Sequence, residues 1–520
     1  MTTLRVAATP GGLPLLPAIA ITALGAAGAA AIGFVAGSSP ILGIALAGAA
    51  VLGAAIAVRP DVATLLVAGI LFSNAAVIAY QFHDMPYFMA AAVPLLLVAP
   101  LAYVLIVRRL AVVTPPALPL IVGYFFIEVL GALLSSDVNT AANEVLTFVV
   151  EGIGLFFMLT NVVRTVPVLR HVVWVLLVVG ALIGALSVFQ EISGTFSNDY
   201  WGFAQLSNAS FDVNTTLTGV DLQPRLSGMI GEQNRYAQSM LMLVPLGMFW
   251  AWNARTSIAK AAALVCTMFI TAGVALTFSR GAFVGFALVL VFMIAAGYIK
   301  PKQVVLVAIA TAVVFLSVPG YSQRLGSLGS LTGAVTGDAD AENPDGSIES
   351  RLTEGLSALL AWADHPIIGV GPGLFPEYYR YYADIVGIKV KSTDREAHDL
   401  YVGIAAENGI VGLSLFLGAI GITMRELARA RRRWKARRPD LANIATAFLL
   451  ALATYLTTGI FLHLSYARYY WMMLALGAAA AVILNARDER SIEPGPEAED
   501  AGPAGAPVRA AVAAQGAAAG

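Results

Sequence analysis

The chain contains 520 residues, of which 58% are hydrophobic and only 12% are charged, and its formal net charge at pH 7 is −1. Soluble domains carry about 25% charged residues, so this composition excludes an ordinary soluble enzyme, and the near-zero charge predicts no nucleic-acid partner. The single cysteine, Cys266, excludes an intrachain disulfide.

Apolar runs long enough to cross a membrane recur along the chain as far as residue 485. A hydrocarbon core of about 30 Å requires about 20 helical residues, and backbone in lipid must satisfy its own hydrogen bonds. We therefore predict an all-α fold, a polytopic integral membrane protein with about 14 transmembrane helices. The predicted helices cover residues 15–37, 41–58, 62–81, 87–107, 118–135, 143–162, 170–190, 234–253, 258–277, 281–299, 303–318, 399–424, 441–463 and 468–485.

Lysines and arginines cluster in alternate connections between these helices. The largest cluster is 425–438, whereas the short turns 38–40, 82–86, 136–142 and 464–467 contain neither residue type. The positive-inside rule then predicts that both termini are cytoplasmic. The predicted layout is helices 1–7 (1–190), an extracytoplasmic loop (191–233), helices 8–11 (234–318), a large extracytoplasmic loop (319–397), helices 12–14 (398–490) and a disordered cytoplasmic tail (491–520).

The large outer loop contains its own helical pattern. Residues 349–364 predict an amphipathic helix that lies on the membrane or packs over the bundle as a lid. Its apolar stripe consists of Leu352, Leu356, Leu359, Leu360 and Ala363. After the loop, Asn408-Gly409 predicts a cap or a kink, in which case His398–Glu407 form a short outer helix and the membrane span begins near Ile410.

Several kinds of chemistry find no motif in the chain. Gly369-Val-Gly371-Pro-Gly373 lacks the following Lys-Ser/Thr pair of a nucleotide-binding loop, and no group of residues has metal-ligand spacing. We therefore predict no metal site and no cofactor. An active site on the outer face also has no supply of nucleotide, so any transferred group must arrive already activated on a lipid.

Two arginines lie in outer turns, against the charge pattern of the rest of the chain. Arg280 follows Ser279 at the turn between two predicted helices, and Arg225 lies in the first outer loop. A guanidinium binds phosphate through two parallel hydrogen bonds and stays charged. The alternative is that each arginine pairs with a nearby acid, such as Glu232 or Asp221, or extends to lipid headgroups.

His398 is a candidate general base where the outer loop re-enters the membrane, since an imidazole can take up a proton near neutral pH. The alternative is a hydrogen-bonded interfacial histidine, and that role fits the other four better: His83, His171, His365 and His463. Glu128 and Glu151 lie within predicted membrane helices, where carboxylates are costly, so each is either functional or a protonated or hydrogen-bonded structural residue.

Four segments in order resemble the bacterial O-antigen ligase and O-antigen polymerase family. They are Arg225–Ala237, Leu276–Ala282, His365–Phe375 and Ala397–Gly412. The sequence departs from the family at Asp399, where asparagine is common, and in having fourteen predicted crossings where about twelve are usual for the ligases. The first departure concerns the chemistry beside His398, and the second leaves ligase and polymerase open.

The resemblance implies a membrane glycosyltransferase of the bacterial inner membrane that takes a glycan from undecaprenyl diphosphate and joins it to a sugar hydroxyl at the outer face. Arg280 and Arg225 would hold the diphosphate, and His398 would activate or position the acceptor. The predicted substrate-binding residues are Asn234, Arg235, Arg380, Tyr401 and Glu407. The tyrosines of 378–382 would stack on sugars or form an interfacial aromatic belt.

The predicted partners are the lipid-linked glycan donor, a glycan or lipid A-core acceptor, membrane lipids and polysaccharide assembly proteins. The alternative from another class is a transporter or flippase for lipid-linked oligosaccharide, which predicts internal repeats and polar sites near the bilayer midplane. Glu128 and Glu151 favour that alternative, whereas the lack of a repeat opposes it. A non-catalytic assembly scaffold is the third possibility.

Overall fold

The computed structural model describes residues 61–86, 90, 93–206, 225–299, 346–388, 390, 395–462, 464 and 467–486. The predicted helices 15–37, 41–58 and 303–318 and the predicted tail lie outside these residues. The chain divides into two compact units, Met1–Ala63 and Thr64–Gly520. The site described below belongs to the second unit.

The described residues are mostly helical. The helices and strands are α1 (Asp61–Phe72), α2 (Ala75–Phe82), α3 (Val93–Val107), α4 (Leu118–Leu134), α5 (Val138–Val162), α6 (Val166–Ser193), β1 (Gln205–Leu206), β2 (Leu226–Gly228), α7 (Gln233–Leu241), α8 (Leu243–Asn253), α9 (Ser257–Ala275), α10 (Arg280–Ala295), α11 (Gly346–Asp364), α12 (Phe375–Val386), α13 (Leu400–Trp434), α14 (Pro439–Thr458) and α15 (Ala467–Asn485).

Six of these helices are long and apolar enough to cross a membrane, and the bent pair α1 and α2 makes up to seven. The six are α5, α6, α9, α13, α14 with the 3₁₀ turn that follows it, and α15. The protein is therefore a multi-pass membrane protein. The expected number of fourteen crossings is not established, because α3, α4 and α10 are shorter apolar helices and three predicted spans lie outside the described residues.

Two predicted spans are divided. The span 62–81 bends by 54° between α1 and α2, where Asn74 has a positive φ of 59°. The span 234–253 becomes α7 and α8, separated at Met242. Pro245 lacks the amide hydrogen that would bond to the Leu241 carbonyl, which explains the second break.

The all-α expectation meets one small exception. Strands β1 and β2 pair antiparallel, with Gln205 opposite Gly228, and the Ser227 hydroxyl donates to the Gln205 carbonyl at 2.8 Å. Both strands lie at the ends of the first outer loop, where no apolar periodicity imposes a helix. The pairing fixes the chain next to Arg225.

Two hydrophobic clusters organise the described part of the molecule. The larger one is built mainly from α5 to α9 and α13 to α15. The smaller one joins the loop helices α11 and α12 to the facing parts of α4, α5 and α13. Its members are Ala132, Ala141, Ala358, Ala361, Val370, Leu374, Phe375, Tyr379, Tyr382, Ala383, Ala397 and Ala406.

Helix α11 packs by the face opposite to its leucine stripe. Leu352, Leu356 and Leu359 are exposed, at 51%, 36% and 44%. The buried stripe recurs at helical spacing and consists of Ser350, Thr353, Glu354, Ser357, Ala358 and Ala361. The predicted helix is therefore present, and it presents polar and small side chains to the rest of the protein.

Candidate active site

The polar loop before α12 is joined to a kink in α13. Gly409 has non-helical dihedral angles, φ 64° and ψ −172°, which confirms the kink predicted from Asn408-Gly409. The kink leaves backbone groups without helical partners, and the loop supplies them: Ile410 donates to Pro366 at 2.9 Å, and the amides of Val370 and Gly371 donate to the carbonyls of Ala406 and Glu407 at 2.9 and 3.0 Å. Two of the family-like segments thus form one structural unit.

Glycine is required where the two segments touch. Gly369 has a φ of +80°, and a Cβ atom there would overlap the backbone of Glu407 and Asn408. Only glycine combines that conformation with so close an approach. Gly369 therefore serves close backbone packing of the loop against α13.

His398 lies just before α13 with a fixed ring orientation. Its Nδ1 atom is 3.1 Å from Oε2 of Glu354 and 3.1 Å from the carbonyl oxygen of Glu396. Both neighbours are acceptors, so Nδ1 carries the hydrogen and Nε2 keeps the lone pair. His398 also has a positive φ of 49°, a conformation that is uncommon outside glycine and is concentrated at functional sites.

Glu354 is the buried partner of this histidine. Its side chain is 2% exposed and accepts a hydrogen bond from the Ser350 hydroxyl at 3.1 Å, and Nε of Arg395 lies 3.9 Å away. Burial alone would raise the pKa of Glu354. The hydrogen bond and charge of His398, the Ser350 hydroxyl and the charge of Arg395 outweigh burial and lower that pKa, so the carboxylate is ionised at neutral pH.

Asp399, where the family commonly has asparagine, is the N-cap of α13. One carboxylate oxygen accepts from the amides of Tyr401 and Val402 at 2.8 and 2.9 Å. Aspartate and asparagine cap helices about equally well. The departure therefore preserves the local structure beside His398.

The two predicted arginines lie at one turn. Arg225 donates from Nε to the Thr277 carbonyl at 3.2 Å and from Nη2 to the Phe278 carbonyl at 3.3 Å. Phe278 has a positive φ of 53°, and Arg280 is the first residue of α10, whose N-cap Ser279 accepts from the Ala282 amide. Two guanidinium groups and a helix N-terminus are thus brought to the same turn.

A small crevice beside this turn extends the positive surface. It is lined by Asn234, Ser279, Gly281, Ala282, Arg351, Thr458, Phe461 and Leu462. Arg351 and Glu354 are three residues apart on α11, where such side chains are neighbours about 5–6 Å apart at Cβ. Helix α11 therefore connects the arginine turn to His398.

The remaining predicted substrate-binding residues occupy different positions. Asn234 lines the crevice and donates to Glu232 at 2.8 Å, and Arg235 lies 3.7 Å from Glu232. The Tyr401 hydroxyl donates to the Leu456 carbonyl at 2.6 Å, which ties α13 to α14. Arg380 is exposed on α12 and lines neither the crevice nor the larger cavity.

A larger cavity of about 460 Å³ adjoins the His398 segment and includes Glu407. Its carboxylates are Glu128, Glu144, Glu151, Glu396 and Glu407, and we call it the glutamate cavity. Glu151 is paired with Arg468 at 3.2 Å, and Arg468 also donates to Asn74. Of the two carboxylates noted in the predicted spans, Glu151 therefore has an ion-pair partner, and both face a cavity.

Sequence reasoning missed Glu354, Arg351, Glu396, Glu144 and Arg468. The spacing of Ser350, Thr353, Glu354 and Ser357 along one face of α11 was a usable signal for Glu354. The other four carry no local pattern, because their positions depend on the packing of distant helices.

Residues 262–417 match the family model described as O-antigen ligase. This part of the chain is therefore similar to O-antigen ligases. The match confirms the resemblance to the ligase and polymerase family, and this segment contains Arg280, Glu354, His398 and the α13 kink. Such a match indicates activity of the O-antigen ligase or polymerase type, that of a glycosyltransferase-like enzyme acting on lipid-linked glycans and polysaccharides. No curated protein matches the chain.

Proposed function

We propose that this protein transfers a glycan from undecaprenyl diphosphate to a sugar hydroxyl at the outer face of the bacterial inner membrane. One observation carries the proposal. A single helix, α11, contributes Arg351 to the crevice beside the Ser279–Gly281 turn and Glu354 to His398. An anion-binding turn and a candidate base are therefore about one helical turn apart.

The arginine turn suits the diphosphate of the donor. Arg225 binds the turn that precedes α10, Arg280 is the first residue of α10, and Arg351 lines the crevice beside that turn. Helix N-termini and guanidinium groups both bind phosphate oxygens. Negative charge grows on the diphosphate as the sugar leaves. Groups already in place stabilise that charge most in the transition state.

The His398–Glu354 pair suits activation of the acceptor. Nε2 of His398 takes the proton of the acceptor hydroxyl while that oxygen attacks the anomeric carbon. The bond from the anomeric carbon to the diphosphate oxygen breaks, its electron pair leaves with the diphosphate, and the configuration at the anomeric carbon inverts. Glu354 holds the ring through Nδ1 and stabilises the imidazolium that forms, as carboxylates do in other base–histidine pairs.

The acceptor defines the subtype: a lipid A core for a ligase, or a second lipid-linked chain for a polymerase. With cytoplasmic termini and an outer active site, the donor would be presented after it has crossed the membrane. Polysaccharide assembly proteins that deliver the donor or accept the product are the partners that this scheme requires.

Purified protein in detergent, supplied with undecaprenyl-diphosphate glycan and candidate acceptors but no nucleotide, tests the proposal. We expect a new glycan product by mass spectrometry. His398→Ala and Arg280→Ala should each lower the rate by at least about 100-fold, the usual effect of removing a general base or a charge-stabilising group. Arg280→Lys should also lose most activity, because lysine cannot form the two parallel hydrogen bonds.

His171→Ala and Arg255→Ala are matched controls, since both residues are exposed and far from the site in the chain, and we expect full activity from both. Product formation by the His398 and Arg280 variants at the wild-type rate would contradict the catalytic assignment. Movement of lipid-linked glycan across vesicles without a new glycosidic bond would support the transporter alternative instead.

A further inference from the structure

The glutamate cavity lies beside the catalytic segment, and none of the steps above uses it. Its volume of about 460 Å³ falls within the range of about 300–1,000 Å³ typical of small-molecule sites. Residues of helices α1, α2, α4, α5, α12, α13 and α15 form its walls, together with loop residues that include Pro372 and Gly373. Part of α5 there is a π-helical stretch, Phe148–Gly154, which holds Glu151; such stretches are frequent at functional sites.

The cavity is continuous with the residues that hold His398. Glu396 and Ala397 line it, and the Glu396 carbonyl is one of the two acceptors of His398 Nδ1. On another wall, Glu407 accepts hydrogen bonds from the backbone amides of Gly373 and Phe375. A molecule in this cavity would therefore lie next to the segment that positions His398.

Two buried acceptor atoms that line the cavity have no hydrogen-bond partner among the described residues: Oε2 of Glu128 and Oδ1 of Asn408. Glu128 is 7% exposed and Asn408 is 2% exposed. The amide nitrogen of Asn408 is already used, since it donates to the Tyr124 hydroxyl at 3.1 Å. Buried polar atoms are usually satisfied, so these two oxygens indicate a ligand that brings hydrogen-bond donors.

The charge of the cavity restricts that ligand. Five carboxylates face one arginine, Arg468, which is paired with Glu151; Arg235 acts on Glu396 electrostatically. A uronic acid or a phosphate would meet five carboxyl groups there and, in the lining, no arginine beyond the one already paired with Glu151, so the lining offers an anion no partner. Among the described residues, no three carboxylates or histidines come close enough to hold a metal ion.

We infer that the glutamate cavity is the acceptor site and that it selects an uncharged, hydroxyl-rich sugar over an acidic one. Sugar hydroxyls can donate to Oε2 of Glu128 and Oδ1 of Asn408, and the ring of Phe148 lines the cavity wall. This inference rests on the proposed function. The arginine turn would then take the anionic end of the donor, and the glutamate cavity would take the neutral acceptor, with His398 between them.

Binding of acceptor probes without donor tests the inference separately from catalysis. The probes are a neutral hexose tetrasaccharide and a hexuronic acid tetrasaccharide of the same linkage, titrated into wild-type protein in nanodiscs by isothermal calorimetry. We expect the neutral probe to bind at least about tenfold more tightly than the acidic probe. Glu128→Gln and Glu144→Gln should each weaken binding of the neutral probe severalfold. Each should also narrow the difference in affinity between the neutral and the acidic probe.

Glu377→Gln, on the exposed face of α12, is the control and should leave both affinities unchanged. Glu144 is itself exposed at the cavity, so its variant retains the fold even where Glu128→Gln loses thermal stability. Equal binding of the two probes, or unchanged binding in both glutamine variants, would overturn the inference.

Kinetics separate the two proposals. If transfer occurs and the glutamine variants raise the KM for acceptor but not for donor, both proposals are supported. If transfer occurs and the acceptor KM is unchanged, the cavity assignment is wrong and the proposed function stands. If the neutral probe binds in the cavity but wild-type protein forms no product, the acceptor assignment is wrong together with the proposed function.

Discussion

At the scale of single residues, one ring nitrogen of His398, Nδ1, is already engaged in hydrogen bonds. Glu354 and the Glu396 carbonyl both accept from Nδ1, so proton uptake is confined to Nε2. In the proposed reaction, the ionised carboxylate of Glu354 would stabilise the positive charge that the ring acquires on taking up a proton. We therefore propose that Glu354 is a positioning residue whose effect belongs to the chemical step rather than to substrate binding.

Glu354→Gln tests this role. Glutamine keeps the size of the side chain and an oxygen that can accept from Nδ1, but it removes the charge that stabilises the imidazolium. We expect kcat to fall by about 10–100-fold, part of the contribution usual for base catalysis, while the KM values for donor and acceptor stay within about twofold. Steady-state kinetics measure the split, and a rise in KM with unchanged kcat would contradict the role.

The same variant carries a signature in the pH dependence of stability. The pKa of Glu354 in the folded protein lies below its ordinary value of 4.5, so its stabilisation is present above that value and is lost as pH falls through the lowered pKa. As the pH falls through this range, the unfolding temperature should decrease more steeply for wild type than for Glu354→Gln. Identical curves would mean that the ion pair contributes nothing to folding.

From the sequence, candidate site residues could be recognised mainly where a residue type departs from the charge or hydropathy pattern around it. Arg225 and Arg280 are arginines in outer turns, and His398 stands where a polar loop meets an apolar span; all three also lie in family-like segments. Glu354 is marked only by its place on the polar face of α11, because a single acidic residue is ordinary in a polar loop. Arg380 is predicted to bind substrate, but the face of α12 on which it lies depends on the packing of Tyr379 and Tyr382 in the smaller cluster.

At the scale of elements, the kink of α13 and the loop before α12 depend on each other. The loop backbone forms hydrogen bonds with the backbone groups that the kink leaves without helical partners. At the kink, Gly409 has no side chain, which leaves room for the loop to approach. The kink could be predicted from Asn408-Gly409. The outward direction of the α11 leucines could not, because an apolar stripe beside a membrane has two favourable surroundings, protein and lipid, and the sequence does not distinguish them.

Gly409→Ala should therefore damage the site from a distance. Gly409 has a φ of +64°, and a Cβ atom there would overlap the Ile367 carbonyl. The backbone conformation alone costs a non-glycine residue about 1–3 kcal/mol, and the overlap adds to this. We expect a lower unfolding temperature and a large loss of transfer activity. Gly421→Ala in the same helix is the matched control, since a Cβ atom there meets open space, and it should be neutral or slightly stabilising.

At the scale of the whole molecule, the match to the O-antigen ligase family covers only part of the site. Residues 262–417 contain His398, Glu354, Arg351 and Arg280, whereas Arg225 and the α2, α4, α5 and α15 walls of the glutamate cavity lie outside it. Under the two proposals, the residues that transfer the glycan would come mainly from the matched segment, and the residues that choose the acceptor would come largely from the rest of the chain.

The site functions as proposed only if its face of the membrane is the outer one, and thiol labelling tests that orientation. With Cys266 replaced by alanine, a cysteine at Asn139 lies in the first turn of α5, within the predicted connection 136–142, and a cysteine at Lys435 lies in the basic segment after α13; both positions are exposed. The distribution of lysine and arginine predicts that a membrane-impermeant maleimide labels Asn139→Cys in intact cells. Lys435→Cys should be labelled only after the membrane is permeabilised. The reverse result would place the glutamate cavity and the arginine turn on the side where lipid-linked glycans are assembled from nucleotide sugars, and the need for a nucleotide-independent donor would disappear.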